Sequence, residues 1–62
     1  MKFFEVELFI MGIAPSPSTT RKVSIEARNQ DEAEELAHDW YIADGWGVLG
    51  SREISEEEAE LL

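Results

Sequence analysis

The chain has 62 residues and a formal net charge of −9 at pH 7, from 14 acids against 5 bases. With 44% hydrophobic and 31% charged residues, it is too short for two separately buried cores, too apolar for a disordered acidic tail, and too broken by charge for a membrane span. Without cysteine, neither a disulfide framework nor a thiolate metal site can form, so core packing or self-association must hold the fold.

From Lys2 to Met11 the even positions Phe4, Val6, Leu8 and Ile10 are apolar, and Glu5 and Glu7 fall on the odd face. This is the period-two pattern of a strand. Phe3, Phe9 and Met11 flank the two glutamates on the odd face, which predicts partial cover on both sides and a central place in a sheet. Gly12 to Thr20 contains Pro15, Pro17 and four hydroxyl residues; it lacks periodicity and reads as a mobile loop. Arg21 to Ala27 alternates again, with Val23, Ile25 and Ala27 against Lys22, Ser24 and Glu26, and predicts a second strand antiparallel to the first.

Asn29 is a good N-cap, and Glu32 follows three positions later as in a capping box. Asp31 and Glu32 suit the positive end of a helix dipole. Ala33, Leu36, Ala37 and Trp40 fall at i, i+3, i+4 and i+7, with Tyr41 at the border. This predicts a helix that buries the stripe on the sheet, takes Trp40 into the core and stops at Gly45. The opposite side of the wheel holds Asp31, Glu32, Glu34, Glu35, His38 and Asp39, an almost wholly acidic outward face. Asp31 with Glu35, and Glu35 with Asp39, are like-charge i,i+4 pairs that each cost roughly 0.3 kcal/mol, so local helix stability does not account for the pattern.

After Gly45-Trp46-Gly47, Val48 to Ile54 reads as a third strand in which Gly50 interrupts the alternation and marks a candidate bulge. Ser55 followed by Glu58 is a second capping box, and Ile54 and Ala59 are placed for a hydrophobic staple. A short terminal helix is predicted from Glu56 to Leu62.

The expected fold class is α+β: a single ββαβ domain over residues 1–62, with a three-stranded sheet, one helix packed on one face and a short C-terminal helical turn. A right-handed crossover through the helix makes the third strand parallel to the second and leaves the gap between them for the first, giving sheet order 2-1-3. The face without the main helix carries Phe3, Phe9 and Met11, which are the candidate contacts of a homodimer.

The charge is unevenly placed. Residues 1–30 hold three acids and four bases, whereas residues 31–62 hold eleven acids and only Arg52 as a base. Such a field disfavours a phosphate backbone, so no direct nucleic-acid binding is expected, and it attracts a protein with a basic surface. The candidate partner contacts are Asp31, Glu34, Glu35, Asp39, Glu57 and Glu58, together with Trp46, whose flanking glycines leave its ring accessible. The alternative is an assembly module whose acidity serves only solubility.

No catalytic, metal or cofactor motif is present, and the chain is not expected to be an enzyme. His38 is the single histidine; with Glu34 one turn away it forms at most a solvated pair, with no pocket around it. Glu56-Glu57-Glu58 lacks the spaced ligands and turn glycine of a calcium loop, and the glycines at 45, 47 and 50 lack the lysine of a phosphate loop. The N-terminus alternates charge with hydrophobe instead of running apolar as a signal peptide does, so a cytoplasmic location is expected and no membrane association.

The run Val23-Ser24-Ile25-Glu26-Ala27-Arg28-Asn29-Gln30-Asp31-Glu32-Ala33-Glu34-Glu35-Leu36-Ala37 resembles the strand–cap–helix junction of small bacterial and phage-encoded domains, including the DpnD/PcfM-like group. The match covers about a quarter of the chain and consists mostly of strand and capping residues. The resemblance implies a ββαβ accessory domain. By extension it implies the role of some small acidic phage proteins, which inhibit host-defence complexes in the anti-CRISPR manner.

Overall fold

The computed structural model describes all of residues 1–62. Strands β1 (Lys2–Ile10) and β2 (Thr20–Ala27) precede helix α1 (Gln30–Tyr41), a 3-10 turn at Ile42–Asp44, strand β3 (Trp46–Ile54) and helix α2 (Glu56–Leu61). The sheet order is β2-β1-β3, with both outer strands antiparallel to β1. The alternation in β1 makes this arrangement work: Phe4, Val6 and Leu8 point to the face that carries α1 and are buried with Val23, Ile25, Ala27, Ala33 and Ala37.

Each helix begins where its cap predicts. The Asn29 side chain accepts the Glu32 amide at 2.8 Å, and Ser55 accepts the Glu58 amide at 3.1 Å. Neither capping box closes in its usual reciprocal form, because each glutamate finds an arginine instead. Glu32 reaches back to the Arg28 amide at 3.0 Å, and Glu58 turns to Arg52 at 3.1 Å. Gly45 ends the 3-10 turn at φ +87°, a left-handed backbone that glycine adopts without penalty. The loop after β1 is less open than its composition implies. The Thr19 hydroxyl accepts the Ser16 amide at 2.9 Å, and the Thr19 amide donates to the Ser16 carbonyl at 3.0 Å, closing a turn around Pro17 and Ser18.

One helix residue departs from expectation. Trp40 is 57% exposed instead of buried. The inward line of α1 runs Ala33, Ala37, Tyr41, with Leu36 beside it. Trp40 falls beside that line, and the space at this end of the core is occupied by Tyr41, Trp46 and Val48. Trp46, expected as an exposed contact, is instead half-buried and packed on the core, opposite Ile10 on β1.

Strand β3 starts two residues earlier than its hydrophobic pattern predicts. Gly47 is buried opposite Phe9, and a Cβ at Gly47 would lie 2.6 Å from Phe9 Cε1. The missing side chain therefore lets the Phe9 ring lie over the backbone. The register slips between Glu7 and Leu8, which face Gly50 and Val48. Leu49 is thus the extra residue of a bulge, next to the glycine that marked it in the sequence.

The face of the sheet away from α1 carries Phe3, Glu5, Glu7 and Phe9 from β1, with Lys22 and Ser24 from β2 and Arg52 and Ile54 from β3. Helix α2 turns back over the Ile54 end of this face, where Ile54 is buried and Glu58 holds Arg52. We expect Gly47→Ala to destabilise the fold by about 1–3 kcal/mol through displacement of the Phe9 ring, read as a lowered melting temperature, and expect Gly47→Ala/Phe9→Ala to fall short of the sum of the two single changes.

Candidate functional site

The acidic face of α1 divides once its side chains are placed. Asp31, Glu35 and Asp39 are exposed and lie four residues apart on one line, about 6 Å of rise between neighbours. Asp31 and Glu35 enter no ion pair, and the only such neighbour of Asp39 is the adjacent His38, at 3.6 Å. Glu34 leaves the line: its carboxylate accepts the Ser51 hydroxyl of β3, and Gln30 donates to it at 3.5 Å. It is therefore a strut between helix and sheet, and it makes no hydrogen bond or ion pair with His38.

Glu32 is held by Arg28 Nη2 at 2.7 Å and Nε at 2.9 Å. The side-chain hydrogen bond from Arg28, followed by the bond from its amide, holds the Glu32 carboxyl below the usual carboxylate range, and the same pairing raises Arg28.

The C-terminal acids belong to a different surface. Arg52 lies on the sheet face opposite α1 and binds both Glu5 and Glu58, so α2 and its exposed Glu56, Glu57 and Glu60 sit across the sheet from Asp31, Glu35 and Asp39. The structure does not bring Glu57 and Glu58 together with the α1 acids. Phe3, Phe9 and Met11 share the α2 side, but they too are divided. Phe3 lies at the Ile54 end and Phe9 at the Gly47 end, with Glu5, Glu7, Lys22 and Arg52 between them. Met11 is 43% exposed.

That charged centre is the feature the sequence reading missed. Glu5 is 7% exposed, with Arg52 Nε against Oε2 and Lys22 Nζ at 3.4 Å from Oε1. No donor is aligned for a hydrogen bond to Oε2, so the contact is charge on charge. Glu58, first, and Glu5 together raise Arg52 above its ordinary value. A shallow cleft of ≈ 240 Å³ opens here, lined by Glu5, Glu7, Lys22, Gly50, Ser51 and Arg52. Its two acids and two bases offset one another, leaving no net charge to select an ion. The signal was present in the pattern, since Lys22 and Arg52 fall on the same face as Glu5 once the register is known.

No group of three histidines, cysteines, aspartates or glutamates is placed to hold a metal ion, and no helix is long and apolar enough to cross a membrane. Compared with family models, with curated proteins and with solved structures, the chain gives no significant match.

Because Arg28 lowers the Glu32 carboxyl below its unfolded value, this pair stabilises the fold fully at pH above the ordinary carboxylate value and progressively less below it. Its contribution is lost as pH falls through the folded value. Urea titration of wild type and Glu32→Gln should therefore show a gap in midpoint at neutral pH that closes under acid conditions; a gap that stays constant with pH would contradict the assignment.

Proposed function

We propose that the chain is a small protein-binding module that engages a basic surface of a partner protein through Asp31, Glu35 and Asp39. The carrying observation is that four of the fold's five bases are occupied elsewhere, Arg21 on β2 alone entering no ion pair. Lys2 pairs with Glu53, Lys22 with Glu5, Arg28 with Glu32, and Arg52 with Glu5 and Glu58. Three exposed carboxylates one turn apart are left with no lysine or arginine, although their mutual repulsion costs the helix stability. A protein that needed only solubility would gain it from acids scattered over any surface.

Carboxylates repeating every 5–6 Å or so along a rigid helix suit a surface built for phosphates. The partner surface is accordingly one that would otherwise hold nucleic acid, and the action is that of an inhibitor of phage type within the cytoplasm. Binding, not catalysis, is the reading the geometry supports, since His38 is 57% exposed and no enclosed pocket adjoins it.

The test is capture of partners at low salt by wild type, by Glu35→Lys/Asp39→Lys, and by Glu57→Lys/Glu60→Lys on the opposite face. The α1 reversal should weaken capture by roughly tenfold or more, and the α2 reversal should leave it nearly intact. Wild-type capture should fade as the Debye length shrinks, and nucleic acid should compete for the captured protein. Capture indifferent to the α1 reversal would favour the assembly reading, in which the acids serve solubility alone.

A further inference from the structure

We propose that the free edge of β2 is a homodimer interface, in which the β2 strands of two copies pair antiparallel about a two-fold axis at Ser24 and join their sheets into one of six strands. The inference is independent of the acidic α1 face and rests on the hydrogen-bonding register, the charge pattern of β2 and the position of Trp40.

The register shows which edge is free. The Ile10 amide donates to the Thr19 carbonyl at 3.2 Å, which makes these two a hydrogen-bonded pair at the end of the β1–β2 ladder. Strict alternation then aims the backbone of Arg21, Val23, Ile25 and Ala27 at β1, and that of Lys22, Ser24 and Glu26 away from the sheet. The same alternation turns Ser51 outward at the β3 edge, where Gln30 Nε2 donates to its carbonyl at 2.9 Å and the Leu49 bulge breaks the line. Strand β2 has none of these protections. Its register against β1 is unbroken, it contains no proline, and no side chain bonds to its outward groups, so it is the kind of edge that accepts another strand.

The side chains select a second copy in one register. With Ser24 facing Ser24 of the other copy, Lys22 of each chain meets Glu26 of the other, and Val23 meets Ile25 on the helix side. A shift of the axis to residue 22 sets Lys22 against Lys22, and a shift to residue 25 sets Lys22 against Arg28. Only the Ser24 axis gives two opposite-charge pairs, each the cross-strand contact that stabilises a ladder, with about six backbone hydrogen bonds between the strands. In a chain of net charge −9, β2 is also where two copies approach with least repulsion, because it presents Arg21 and Lys22 against the single Glu26.

Trp40 then acquires a role. Gln30 and Glu34 bond to Ser51, which fixes that flank of α1 over β3. Turning the helix by about 100° per residue puts Leu36 and Trp40 on the other flank, toward β2. In the six-stranded sheet the two β1 strands lie three spacings apart, about 14 Å, whereas helices in direct contact pack at about 8–10 Å. The exposed indole of each copy, on the β2 flank of α1, stands toward that gap.

Sedimentation equilibrium of the whole chain tests the proposal. Wild type should dimerise. Glu26→Lys, which sets a base against Lys22 of the other copy, should weaken the dimer at least tenfold while circular dichroism stays unchanged. Because the chain has no cysteine, Ser24→Cys places a single thiol on the axis, where the facing Cα atoms would lie about 5.5 Å apart. Air oxidation should link Ser24→Cys into a covalent dimer much faster than Thr20→Cys. A wild type that remains monomeric at millimolar concentration, a dimer unaffected by Glu26→Lys, or equal crosslinking of the two cysteine variants would each overturn the proposal. None of these measurements involves the α1 carboxylates, so they stand or fall separately from partner capture.

Discussion

The structure depends on one packing contact: the ridge of Phe4, Val6 and Leu8 on β1 against Ala33 and Ala37 of α1. A 62-residue chain has one main helix with which to close one sheet, and burial of apolar area is the dominant favourable contribution in so small a domain. Alanine at the two inward positions lets the helix axis come near the strands. That closeness completes the core, with Tyr41 continuing the inward line, while position 40 falls beside it on the flank toward β2, which is why its indole stands outside.

The central position of β1 has a second consequence. With partners on both sides, β1 leaves its neighbours to form the two edges of the sheet, and the chain treats those edges differently. On β3 a bulge and the Gln30 amide at the Ser51 carbonyl interrupt the outer row of backbone groups. On β2 the row is left open. Natural sheets generally blunt such an edge, so an unbroken strand with a self-complementary charge order distinguishes this side of the molecule from the other.

Charge follows a similar division of labour. Four of the five bases are drawn into pairs that brace the fold, including the two that hold Glu5 on the sheet face away from α1. A one-residue slip of β3 would carry Arg52 to the other face and leave Glu5 without its closest partner, so this cluster agrees with the register that the apolar pattern selects. The acids on the crest of α1 lie outside that bracing. Their repulsion is a cost to the helix that no lysine or arginine of the chain offsets, and binding a cationic surface would relieve it.

The order of elements, the sheet order 2-1-3 and both helix starts were legible from the sequence, because each follows from local periodicity or from one capping residue acting over a few positions, whereas α1 ends at Tyr41 and Gly45 ends only the 3-10 turn that follows it. Even the bulge was marked by Gly50 to within one residue. What only the tertiary structure decided was how deep each side chain lies and on which side of the sheet. The wheel gives a stripe but not which of its residues face the sheet, so it did not show that Ala33, Ala37 and Tyr41 would take the inward line and leave Trp40 on its flank, or that Ser51 would draw Glu34 off the acidic line. Nor does local sequence show that α2 turns to the face opposite α1, separating Glu57 and Glu58 from Asp31, Glu35 and Asp39. Those outcomes depend on contacts between residues far apart in the chain, and they become definite only when the strands are in register.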